Sequence, residues 1–170
     1  MPIIPVKGIT PEIPSSSWIA ENATVTGDVI CGEECSIWFQ VVIRGDVNKI
    51  RIGNRVNIQD ASIVHGTAGR GDTIIGNNVS IGHRAIVHGC EIHDNVLIGM
   101  GAIVLDDVIV ESNVIVGAGA VVTSGSVLKS GFLYAGIPAK QIKPLEEGKV
   151  DFYIKGTAAA YVEYSKYYSK

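Results

Sequence analysis

The side chains best suited to chemistry in this chain are three histidines, His65, His83 and His88, carried by the segments IQDASIVHG (58–66) and IGHRAIVHGC (81–90). Imidazole is a common zinc ligand and binds the ion at about 2.0–2.1 Å. Three imidazoles leave one coordination position open, the arrangement that turns water into a nucleophile near neutral pH. For a lone surface histidine, a hydrogen bond to solvent or to a subunit neighbour is the plainer reading. Whether three can converge depends on the frame that places them.

That frame is a repeat of six. Apolar residues recur at Ile19, Val25, Cys31, Ile37 and Ile43; after a three-residue insertion they resume at Ile52, Ile58 and Val64. After five more residues come Ile75, Ile81 and Val87, and with one residue skipped, Ile92, Ile98, Val104, Val110, Val116 and Val122. Four places after most of these stands a small or short-branched residue; Glu91, beside the skipped residue, departs from this. Neither a helix, with its 3.6 period, nor a simply alternating strand has this spacing. A hexapeptide repeat of this length predicts an all-β fold, a parallel β-helix whose coils bury their apolar edges by stacking. Roughly sixteen hexads at three per coil predict about five coils.

His65 and His88 each follow a repeat position, Val64 and Val87, three hexads apart. Three hexads make one coil, so the two rings are expected one above the other on the outside of one face, about 5 Å apart. His83, two places after Ile81, belongs to the preceding hexad and so to a neighbouring face. One chain has difficulty bringing all three nitrogens to one ion. The economical arrangement is a site completed by His83 of a neighbouring subunit, repeated three times by cyclic packing. His93 has no register partner and reads as a surface residue.

The remaining chain is organised around this stack. At 170 residues it fits one domain. Residues 1–18, with Pro2, Pro5, Pro11 and Pro14, read as an extended lead-in; 19–131 as the β-helix; 132–145, with two prolines, as a connecting segment where the stack ends; and 146–170 as a C-terminal α-helix with Thr157 as its N-cap. A net charge of −3 provides no basic footprint for nucleic acid. No run of 18 apolar residues marks a membrane span. The start MPIIPVKG lacks the features of an export signal, and Cys31 and Cys35 fall on inward positions as packing thiols, so a reducing cytoplasm is expected. Cys90 reads as a packed thiol as well.

The chain resembles the γ-class carbonic anhydrase-like proteins over nearly its whole length, in IRGDVNKIRIGNRVNIQDASIVHG (43–66), IGNNVSIGHRAIVHGC (75–90) and YAGIPAK (134–140), the last shared with hexapeptide acyltransferases. The resemblance implies a trimer of left-handed β-helices; the hand comes from it alone, since the general crossover rule favours a right-handed coil. It implies zinc held by His65, His83 and His88, with His83 donated across the interface; three imidazoles also accept iron or cobalt. Gln59 would orient zinc-bound hydroxide or bicarbonate, with Asp60 in the same network. Arg44 and Asp46 would pair across the subunit boundary, where a plain interface salt bridge is the simpler role. Tyr161 corresponds to a tyrosine that reaches the active site in some relatives, although AAAYV lacks the asparagine usual before it.

The implied reaction is reversible hydration of carbon dioxide to bicarbonate. Strongly active relatives carry a glutamate-bearing acidic loop after the first zinc histidine; GTAGRGD (66–72) has no glutamate, which implies low or buffer-dependent turnover. Two other readings stay open: an acyl-coenzyme A transferase or thioesterase on the same frame, and a metal-binding scaffold without catalysis.

Overall fold

The computed structural model describes residues 3–168; Met1 and Pro2 of the expected lead-in and residues 169–170 of the expected tail lie outside the described residues. The chain forms a left-handed parallel β-helix with three faces. Face A stacks Trp18–Ile19, Ser36–Ile37, Asn57–Ile58, Ser80–Ile81, Val96–Ile98, Val114–Val116 and Phe132–Ala135. Face B is formed by parts of the long bent strands Thr24–Cys31 and Val42–Ile52, then Ile63–His65, Ile86–His88, Ile103–Val104 and Val121–Val122. Face C takes the far ends of the same two long strands, then Thr73–Ile75, Glu91–Ile92, Ile109–Val110 and Val127–Leu128.

The six-residue period has a local cause. Each face contributes an inward residue, such as Ile37, Ile58, Ile81, Ile92, Val104 and Val110, all essentially inaccessible to solvent. Three places later the backbone turns a corner through the left-handed region: Gln40, Ala61, Arg84, Asn95, Asp107 and Asn113 have φ of 58 to 61°. The next residue again points inward, close to the corner, where only a small side chain fits. Full burial of each inward Ile or Val is worth about 1.5–3 kcal/mol, which exceeds the roughly 1–2 kcal/mol cost of a non-glycine left-handed corner. The frame therefore holds its corners.

The stack is longer than the expected five coils. Leu128 and Tyr134 continue the spacing past Val122 and are buried, and face A reaches seven strands. The segment after Gly131 is also still part of the stack at first. Phe132–Ala135 pairs parallel with Val114–Val116, and only then does Lys140–Pro144 fold back antiparallel and close the end. At the other end Ile3–Ile4 pairs parallel with Val25–Thr26. The C-terminal helix begins with a π-helical turn, Val150–Lys155, and continues as α-helix over Gly156–Lys166. Thr157 is not its N-cap: it lies inside the helix and donates to the Tyr153 carbonyl at 2.6 Å. The helix packs on face A, with Ile154 and Ala158 buried and Tyr161 edge-on to Trp38 at 5.3 Å.

The corner between faces B and C breaks the period on three successive coils. Nine residues separate Ile43 from Ile52, eleven separate Val64 from Ile75, and five separate Val87 from Ile92. In the short coil Cys90 turns inward in place of the next residue, which is why Glu91 points outward. Burial pushes the Cys90 thiol up to about 12, so it is an inert packing group.

Candidate metal centre

Arg44, Asp46, His65 and His88 gather at the irregular B–C corner. His65 and His88 are direct partners in the parallel register, with ring centroids 5.2 Å apart. Nδ1 of His65 lies 3.2 Å from Nε2 of His88. The outward nitrogens each meet a carboxylate: His65 Nε2 is 3.1 Å from Asp46 Oδ1, and His88 Nδ1 is 3.0 Å from Asp106 Oδ1. Beneath the pair, the buried Thr73 hydroxyl donates to the His65 carbonyl at 2.8 Å and accepts the Gly89 N–H at 3.2 Å. That hydroxyl ties together the two backbone segments that carry the rings.

Within the chain Arg44 and Asp46 are neighbours on one strand. They pair within one chain at 2.5 Å, because residues two apart on a strand point to the same side. Arg44 also reaches within 3.4 Å of His65 Nδ1. Burial lowers the pKa of His65, opposed by its bond to Asp46 and reinforced by the Arg44 charge. Burial would raise the Asp46 carboxyl, but its bonds from Arg44 and His65 hold it below the usual carboxylate range.

His83, Gln59, Asp60 and Tyr161 form a second group at the other edge of face B, the A–B corner. Asp60 Oδ2 lies 2.7 Å from His83 Nδ1; with Nδ1–H donating to that carboxylate, Nε2 is the ring nitrogen that keeps a free lone pair. Gln59 is buried; its Nε2 donates to Asn57 Oδ1 at 3.0 Å and its Oε1 accepts the His83 backbone N–H at 3.2 Å. Tyr161 is half-buried, and burial together with the nearby Asp60 charge raises its phenol pKa. One chain thus separates the residues singled out in its sequence into two groups, at opposite edges of face B. Outside both, His93 pairs with Glu91 at 2.9 Å on the surface.

The chemistry of the B–C group suits a divalent metal. With His65 donating Nε2–H to Asp46 and His88 donating Nδ1–H to Asp106, the two inner nitrogens present lone pairs to each other at 3.2 Å. A cation between them relieves that repulsion. Two nitrogens bound at 2.0–2.1 Å to one tetrahedral zinc stand about 3.3–3.4 Å apart, close to the separation found. The set remains incomplete within the chain, since among the described residues no three His, Cys, Asp or Glu side chains are grouped to hold a metal. All three histidines carry a carboxylate on the far nitrogen, the pattern that fixes the tautomer of metal-binding imidazoles. Asp106 is the member that motif reading overlooks. It stands two places after Val104, the register partner of Val87, so the stacking register itself points to it.

Comparison with known proteins agrees with this architecture. The family model for bacterial transferase hexapeptide (six repeats) matches residues 72–102 and 89–124. A protein named carbonic anhydrase from Geobacillus kaustophilus is 47% identical over 98% of this chain and 90% of its own length. The mitochondrial gamma carbonic anhydrase 1 of Arabidopsis thaliana is 42% identical over 84% of this chain, which spans 54% of that protein. The crystal structure of a hexapeptide transferase family protein from Anaplasma phagocytophilum superposes with a TM-score of 0.93 at 41% identity, covering 98% of this chain and 97% of that one. With the hexapeptide coil and 47% identity, over nearly the whole chain, to a protein named carbonic anhydrase, the chain belongs to the γ-class carbonic anhydrase-like family of hexapeptide-repeat proteins.

Proposed function

We propose that the protein reversibly hydrates carbon dioxide to bicarbonate in a metal-dependent reaction, at a site completed between neighbouring subunits of a trimer. The observation that carries this reading is the pair His65–His88, its inner nitrogens 3.2 Å apart and its outer ones on Asp46 and Asp106. This half-site lacks a third imidazole, and the A–B corner of the same chain offers one in His83, held by Asp60. Joining the two corners around a threefold axis forms three equivalent sites and closes the ring. When bound, zinc, or iron or cobalt in its place, supplies the Lewis acidity that makes water a nucleophile near neutral pH.

The other residues orient reactants and handle the proton. Gln59 spends one amide hydrogen on Asn57 and its oxygen on the His83 backbone, so its second amide hydrogen remains to bond an oxygen of bicarbonate. Asp60 orients His83 and shares its surroundings with the Tyr161 hydroxyl. No glutamate occurs in 66–72, so the proton leaves to solvent buffer and turnover in weak buffer is low. The Geobacillus and Arabidopsis relatives bear carbonic anhydrase names, in keeping with this activity. Three free, buried thiols fit a reducing cytoplasm, and no helix among the described residues is long and apolar enough to cross a membrane.

Acyl transfer from coenzyme A is the second reading, favoured by the transferase names of the matching family model and of the Anaplasma structure. It has no need of two stacked histidines each backed by a carboxylate. Metal analysis of the purified protein, with carbon dioxide hydration followed before and after chelation and zinc return, separates the readings. About one metal per chain, with activity lost on chelation and regained with zinc, is the expected result. Metal without hydration would indicate a scaffold, and a metal-free trimer that consumes acyl-coenzyme A would indicate a transferase.

A further inference from the structure

The loop inserted after His65 is tied down at both ends. Nδ2 of Asn48 lies 2.7, 3.0 and 2.9 Å from the carbonyl oxygens of Thr67, Arg70 and Gly71, and the Lys49 N–H donates to Asp72 Oδ1 at 3.1 Å. On the far side the Thr67 hydroxyl donates to Asp106 Oδ2 at 3.1 Å, and Arg70 pairs with Asp107 at 3.0 Å. The loop therefore spans the corner from the coil carrying Asn48 to the coil carrying Asp106, crossing the His65–His88 pair.

Asp106 is used on both oxygens, Oδ2 by Thr67 and Oδ1 by His88 Nδ1. The backbone makes room for it at Gly89: a Cβ there would collide with Asp106 Oδ1, and Gly89 sits at φ +55°. An alanine at that position would push the carboxylate off the imidazole. A carboxylate on Nδ1–H selects the tautomer whose Nε2 carries the lone pair and raises the basicity of that nitrogen.

We propose that Asp106 is the positioning residue for His88 and that the 66–72 loop, through Thr67, is the strap that locks it there. The loop thus serves to retain the metal in this chain. The inference rests on the metal-centre reading above, but part of its test does not. In the metal-free protein, long-range nitrogen–proton NMR reports the tautomer of His88 directly. The full-length wild type is expected in the Nδ1–H form, with Asp106→Ala and Thr67→Val shifting toward a mixture and Thr67→Ser restoring the wild-type pattern. Zinc affinity, measured by competition with a chromophoric chelator, should fall about 10–100-fold in Asp106→Ala. A smaller loss is expected in Thr67→Val, with recovery in Thr67→Ser.

An unchanged tautomer with unchanged zinc affinity in Asp106→Ala overturns the inference, as does affinity that falls only in step with the melting temperature of the metal-free variants. A wild type that binds no zinc, iron or cobalt removes the metal centre. The NMR arm then still decides whether Asp106 sets the His88 tautomer.

Discussion

Nδ1 of His65 and Nε2 of His88 face each other at 3.2 Å from adjacent coils, while their outward nitrogens rest on Asp46 and Asp106. Neither ring contributes to the apolar interior, which is formed by the neighbouring Val64 and Val87. His88→Ala should therefore empty the metal site and leave the coil intact. The expected outcome is metal content reduced at least about tenfold, with an unchanged β signal in circular dichroism and a melting temperature of the metal-free protein within a few degrees of wild type. Loss of the β signal would make the ring a structural element.

Because His83 lies at the opposite edge of face B from His65 and His88, defects in the two half-sites should complement each other. His83→Ala and His88→Ala are each expected to be inactive alone. Co-refolded in equal amounts, they should regain about a quarter of the wild-type sites, those pairing an intact A–B corner with an intact B–C corner. No recovery in mixed trimers confirmed by mass spectrometry would refute a shared site.

Gln59 offers a test of positioning through hydrogen bonding. Replacing it with Leu strands the buried Asn57 Oδ1 and the part-buried His83 N–H. Each stranded group costs about 1–3 kcal/mol, so urea unfolding should show a loss of about 2–6 kcal/mol for the two, together with slower hydration by the metal-loaded protein. Full stability with lost activity would instead confine Gln59 to substrate contact.

Much of this arrangement was legible in the sequence because a β-helix converts spacing directly into position. The register of His65 over His88 follows from counting three hexads between Val64 and Val87, and the structure pairs those residues. What counting could not reveal was the behaviour of the corners. The left-handed turn at the fourth place of each hexad is met by residues as different as Gln40, Ala61, Arg84 and Asn113, so composition hardly marks it. Asp106 belongs to no motif and became visible only once Val104 was seen to stack on Val87. Arg44 and Asp46 lie side by side for the same reason of spacing, since strand alternation puts residues two apart on one side.

The corner geometry makes a prediction about stability alone. Ala61 holds φ +59° without a side chain that bonds locally. An L-residue pays about 1–2 kcal/mol there, and glycine avoids most of it at a cost in unfolded-chain entropy of about 0.4–1 kcal/mol. Ala61→Gly should thus stabilise the protein slightly, by about 0.5–1 kcal/mol, and Ala61→Val should destabilise it by more than that. Denaturant midpoints at fixed protein concentration would check both, and a glycine variant less stable than wild type would contradict the corner strain.

The lowered pKa of His65 sets the sign of the pH response of the metal-free protein. Burial and the Arg44 charge keep the folded ring neutral to a lower pH than the unfolded ring, whose pKa is about 6.5. The unfolded state therefore binds this proton more readily, and stability falls as pH drops from about 6.5 through the folded pKa. Asp46 and Asp106, whose carboxyls are held below their usual range, act in the same direction, their contribution being lost only below the ordinary carboxylate range. Melting temperatures of chelated wild type and His65→Asn, compared from pH 7.5 to pH 5.5 at one protein concentration, should diverge, with wild type losing more. Parallel curves would mean that the ring titrates alike in both states. Replacing Arg44 with Gln should narrow the divergence, because it removes one of the causes that keep the imidazole neutral.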